Sequence, residues 1–181
     1  MPKERLGGRA AVFVPCLVLT LTVHPGVAHH AVLAAERVDG LATSRLSHPF
    51  ERLAVAHAIE RAARRLAQPE CEGLLDEFSD AAGQPLRAAI EAQGLSVPEY
   101  LGRVFFYDAP PSNCRSSQLA LTIPGSRVVR VCGQRFVNES KRNARHAEAT
   151  VIHEVLHTLG LGENPPSSDA ITHRVMTRCR R

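Results

Sequence analysis

The sequence predicts an α+β domain, and three features carry that expectation. Apolar residues recur at helical spacing from about Phe50 to Gln68, and a second helical pattern runs from Glu139 to about Leu159. Between them lie short aromatic and β-branched runs punctuated by Pro and Gly. The chain of 181 residues is long enough for one domain with a proper core and too short for two ordinary ones. The expected order is an N-terminal helix, a short, mainly antiparallel sheet of about three strands, the long helix and a C-terminal helix.

At the N-terminus, Lys3, Arg5 and Arg9 precede an apolar run from Ala10 to Val23. Gly26 and Ala28 then place small residues where a signal peptidase tests them, so residues 1–28 read as a cleaved signal peptide. A secreted or periplasmic protein without stable membrane association is expected. The run is shorter than the about 20 residues of a membrane span, which leaves an N-terminal anchor as the secondary expectation. Cys16 follows Pro15 rather than a small residue, which argues against lipidation. Residues 29–49 have no sustained period and read as a flexible lead-in, with His29 and His30 as tail residues. The folded domain is expected over 50–181.

Four cysteines remain after the signal, namely Cys71, Cys114, Cys132 and Cys179, and no CxxC pair is among them. In an exported chain an even number favours two disulfides over metal ligation. Three connectivities are open; Cys114 with Cys132 and Cys71 with Cys179 is favoured because the first pair flanks an apparent hairpin.

In the first helix, Val55, Ile59, Ala62 and Leu66 form the apolar stripe, with His57 as a surface or packing residue. Pro69 ends it. Pro85 opens a short helix that runs to about Gln93 and is closed by Gly94. The run Val104 to Tyr107 reads as a buried strand, and 118–123 with 127–132 as a hairpin turning at Pro124-Gly125-Ser126. In the long helix Ala147, Val151, Ile152, Val155, Leu156 and Leu159 face the core, and residues from Asp169 to Cys179 form the last helix.

The formal charge of +4 falls to +2 without the signal, where Lys3, Arg5 and Arg9 stand against Glu4. The basic clusters Arg61-Arg64-Arg65 and Lys141-Arg142-Arg145 have no interleaved aromatic residues for stacking on bases. They read as solvated helix faces, and no nucleic-acid partner is expected. The chain is expected to be a monomer.

The chemistry lies at the end of the long helix. His153 and His157 are one turn apart and about 40° from one another on the wheel, so both imidazoles can reach a single Zn²⁺. Glu154 follows the first and can address a water on that metal. A straight helix would carry Glu163 about 9 Å beyond His157. Gly160 and Gly162 permit the chain to turn back, which makes Glu163 a candidate third ligand. Two His and one Glu leave a fourth position for water, the arrangement of a catalytic site.

The run HEVLHTLGLGE, from His153 to Glu163, resembles the zincin metallopeptidases. Gly160, with a ligand candidate six residues after His157, is similar to the metzincin branch. The run is also similar to that of small exported bacterial zincin-like proteins. The likeness covers about a dozen residues strongly. It implies a small zincin-like domain with His153 and His157 as metal ligands and Glu154 as the catalytic glutamate. Metzincins usually place a histidine where Glu163 stands, and carry a methionine in a tight turn under the metal. Met176, the only candidate here, lies in the expected last helix. His173 is accordingly the leading competitor for third ligand, followed by Asp169. His146, two turns before His153, is about 10 Å from it, too far to share the metal.

A zinc-dependent peptidase is the expectation, with a peptide or protein as substrate and Glu154 taking the proton of a zinc-activated water. The alternative is a secreted, disulfide-stapled protein that binds zinc without turnover; it needs the histidines but not Glu154.

Overall fold

The computed structural model describes residues 40–115 and 117–180, an α+β arrangement of helices around a three-stranded mixed sheet. The expected signal peptide, with Cys16, His29 and His30, lies outside the described residues. Helix α1 (Gly40–Thr43) packs on α2 (Pro49–Leu66), followed by α3 (Pro69–Glu72), α4 (Leu74–Glu77), α5 (Leu86–Glu91) and α6 (Val97–Leu101). Strand β1 (Phe105–Asp108), a 3₁₀ turn at Pro111–Asn113, β2 (Ala120–Thr122) and β3 (Val128–Val131) come next. Helices α7 (Gly133–Arg142), α8 (Ala144–Thr158) and α9 (Ser168–Arg178) complete the order.

The domain begins before residue 50. The Arg45 amide donates to the Phe106 carbonyl at 2.7 Å and Leu46 is fully buried, so the end of the expected lead-in is tied to β1. Leu46 has apolar surface to bury, which tail composition alone does not disclose.

The apolar stripe of α2 is buried as its spacing predicts, and His57 is exposed. Val55, Ile59 and Ala62 meet Val151, Ile152, Val155 and Leu156 of α8 and Phe106 and Val129 of the sheet in one core. Each such aliphatic side chain removes surface worth about 1.5–3 kcal/mol, more than helix propensity supplies, so packing holds these helices. The basic cluster on α2 is not wholly solvated. Arg61 and Arg65 pair with the buried Glu148 of α8 at 3.3 and 2.7 Å, while Arg64 is exposed.

The sheet departs from the antiparallel expectation in one pair. Its order is β1-β3-β2; β2 and β3 form the expected antiparallel hairpin, but β1 runs parallel to β3. The chain leaving β1 crosses to the far side of β3 before entering the hairpin, and hairpin pairing then fixes β3 parallel to β1. Nor is β1 buried throughout, for Phe106 points into the core while Phe105 and Tyr107 are each 37% exposed, as strand alternation requires.

The single long helix expected over 139–159 is two. Asn143 has φ −149° and its side chain accepts from the His146 amide at 3.1 Å, so it caps α8 instead of continuing α7. Both favoured disulfides are present, Cys71–Cys179 and Cys114–Cys132.

Candidate metal centre

Helix α8 ends in a turn that shapes the site. The Gly160 amide donates to the His157 carbonyl at 2.9 Å and the Leu161 amide to the Leu156 carbonyl at 3.2 Å, a Schellman ending. Gly160 has φ +110°, a conformation side chains rarely adopt, and a Cβ there would lie 3.1 Å from that of Asp80. The chain therefore doubles back, Leu161 is buried, and Glu163 returns to the histidines.

The Nε2 atoms of His153 and His157 are 3.0 Å apart, and Glu163 Oε1 is 3.6 Å from the first and 3.4 Å from the second. The other ring nitrogens are engaged elsewhere: His157 Nδ1 meets the Leu161 carbonyl at 2.7 Å, and His153 Nδ1 meets the Thr172 hydroxyl at 3.0 Å. Both imidazoles are buried and Glu163 is 41% exposed at its side chain, so the group sits at the floor of a site open on one side. Burial, and then the neighbouring His157, push the His153 pKa down to about 4, against the pull of Glu163. Its neutral, ligating form is therefore favoured at neutral pH.

These separations suit a divalent cation. Metal–nitrogen and metal–oxygen bonds of about 2.0–2.2 Å at tetrahedral angles place donors roughly 3.3–3.5 Å apart. The triangle spans 3.0–3.6 Å, and its two imidazoles and one carboxylate form a donor set used by zinc.

Glu154 adjoins this group and is buried, with Oε2 lacking any hydrogen-bond partner. Burial pushes its carboxyl up to about 7, opposed by the Thr122 hydroxyl nearby and by His157. Thr122 Oγ1 is itself buried without a partner of bonding geometry, so neither it nor Glu154 Oε2 is satisfied. A buried oxygen left open in this way is costly unless something else meets it.

The other candidates separate clearly. Asp169 lines the same cleft outside the three-residue group; His173 is exposed and belongs to neither. Met176 is helical, as expected, and its carbonyl accepts from Arg145 at 2.9 Å. His146 lines the cleft, with Nδ1 2.8 Å from Glu139 Oε1. Sequence reasoning did not find Thr172 or Thr122, because a hydroxyl on another element has no fixed spacing from HEVLH. The Leu161 carbonyl was implicit in the predicted turn.

The cleft of about 750 Å³ runs along α8 beside β2, from Arg115 and His146 to Asp169. The hairpin is docked on the helix, since the Gly125 amide donates to the His157 carbonyl at 2.9 Å. Comparison with known protein families, curated proteins and solved structures finds no match.

Proposed function

We propose that this chain is an exported zinc-dependent peptidase in which His153, His157 and Glu163 hold the metal and Glu154 is the general base. One observation carries the reading: two imidazoles and a carboxylate converge on one point beside a buried carboxyl with an open oxygen. Zinc, when bound, would supply an acidic water and polarise a carbonyl oxygen.

The remaining work falls to the chain's own groups. Glu154 receives a proton on its carboxylate and returns it to the departing amine nitrogen; its raised proton affinity suits both transfers near neutral pH. Thr172 on α9 orients His153, and Thr122 on β2 lies beside Glu154. Strand β2 lies at the sheet edge and lines the cleft, so its outer backbone groups can pair with an extended peptide. The two disulfides suit an oxidising compartment and support export.

The test is digestion of unfolded casein by the zinc-loaded chain beside Glu154→Gln. Retained zinc with a fall in cleavage of about 10² or more in the variant is expected. Stoichiometric zinc with no cleavage by the unaltered chain would replace the peptidase by a zinc-binding protein without turnover.

A further inference from the structure

The cleft carries charge of opposite sign at its two ends. Thr122 of β2 faces Glu154, and Gly125 bonds to His157, so the strand and α8 run in the same direction. Gln118 and Arg115, upstream of β2, therefore flank the start of α8, where His146 also lines the cleft. Helix α9 runs the opposite way, with Met176 beside Arg145 and Thr172 beside His153. Asp169, one turn before Thr172, thus lies at the other end, past His157. Among the described residues neither Arg115 nor Asp169 has an ion-pair partner.

The backbone of Arg115 is held in place, and its side chain is exposed. It follows Cys114, which is bonded to Cys132 at the end of β3, and the Gln118 amide closes a turn onto the Arg115 carbonyl at 2.9 Å. His146 is anchored by its Nδ1–H to Glu139, and Arg142 neutralises that carboxylate. The charge left without an ion-pair partner at this end, among the described residues, is the Arg115 guanidinium, whose fork suits bidentate contact with a carboxylate.

We infer that Arg115 is a specificity-determining residue that takes a carboxylate of the substrate about three residues from the cut bond. The span follows from geometry: His146 is seven residues before His153, about 10 Å along the helix, and an extended chain advances about 3.4 Å per residue. Antiparallel pairing with β2 would place the acidic group on the C-terminal side of the cut, and Asp169 would repel a chain laid down with its acidic end reversed. This inference rests on the peptidase reading for the meaning of the cut bond, but not for the contact itself.

The test uses the full chain carrying Glu154→Gln, zinc-loaded, and fluorescence anisotropy of four labelled peptides. One has Glu at the third position after the middle bond and an amidated end. Its partner has Gln there; a third ends at that position with a free carboxylate, and the fourth is its amide. At least one acidic peptide is expected to bind about tenfold tighter than its neutral counterpart, with the preference lost in Arg115→Glu and largely restored in Arg115→Lys. The pair that shows it identifies a side-chain or a terminal carboxylate as the source. Equal binding within both pairs, or a preference that survives Arg115→Glu, overturns the inference. Cleavage of the same peptides by the chain with Glu154 intact is scored separately. Arg115-dependent binding without cleavage removes the peptidase reading alone, and cleavage without an acidic preference removes the Arg115 site alone.

Discussion

The Nδ1 atom of His157 lies 2.7 Å from the carbonyl oxygen of Leu161, four residues ahead, and this contact fixes which ring nitrogen is bare. A carbonyl only accepts, so Nδ1 holds the proton and Nε2 presents a lone pair. That lone pair faces His153 Nε2 at 3.0 Å. Without a cation, His153 can donate to it, with Nδ1 accepting from Thr172; with a cation, His153 must turn its own lone pair inward and give its Nδ1–H to the hydroxyl. The hydroxyl serves both states. Thr172→Val is therefore expected to weaken zinc binding about tenfold, read by chelator competition, with little change in the urea midpoint. Unchanged affinity would mean that Thr172 merely neighbours the ring.

Glu163 and His173 compete for the third donor position, and the geometry favours the first. Glu163→Ala is expected to lower zinc occupancy after dialysis from one ion per chain to well below it, and His173→Ala to leave it at one, because His173 is exposed outside the group. Metal analysis of the two variants prepared side by side decides this. The reverse pattern would require α9 to rotate and break the His153–Thr172 contact.

Much of this was legible in the sequence. The i, i+4 histidines and Gly160 foretold the helix, its ending and the return of Glu163, because these depend on local geometry alone. The break at Asn143 was not foreseen, since residues 138–143 are all polar and offer no apolar period to mark where one helix stops, while the Asn143 side chain can cap a new one. The parallel β1–β3 pair escaped for a different reason: strand composition says nothing of which neighbour a strand takes. Arg61 and Arg65 looked solvated because their partner Glu148 is more than 80 residues away and became buried only through packing.

Gly160 turns the chain at a positive φ, with Asp80 close beside it. Gly160→Ala is expected to destabilise the fold by about 1–2 kcal/mol, through backbone strain and through the displacement of Asp80. Because the same turn sets the Leu161 carbonyl on His157, zinc affinity should fall with it. A variant with unchanged urea midpoint and unchanged zinc binding would show that the turn tolerates a side chain.

Glu139 joins α7 to α8 through His146. Burial opposes its ionisation, but hydrogen bonds from Arg142 and His146 outweigh that and hold the carboxyl below its ordinary value of 4.5. A carboxyl depressed in the folded state contributes stability above the unfolded value, and that stability is lost as pH falls through the lower folded one. The unaltered chain should therefore lose more stability than Glu139→Gln between about pH 6 and pH 3. Urea midpoints across that range provide the check, and parallel curves would remove Glu139 as a source of the acid sensitivity.

The two disulfides should fail in different ways. Cys71–Cys179 spans 108 residues and Cys114–Cys132 spans 18. In the chain-entropy account the first stabilises by about 5 kcal/mol and the second by about 3 kcal/mol, so replacing Cys71 and Cys179 by Ser should lower the urea midpoint more. The Cys179 carbonyl also accepts from Arg65, which binds the buried Glu148, so the long bridge closes a network joining α2, α8 and α9. The short bridge instead fixes the loop that carries Arg115. Replacing Cys114 and Cys132 by Ser should cost less stability and leave zinc affinity intact, yet lose the tighter binding of acidic peptides. Equal losses of stability from the two pairs would contradict the loop-length argument, and an undiminished acidic preference without the short bridge would show that Arg115 is positioned by other contacts.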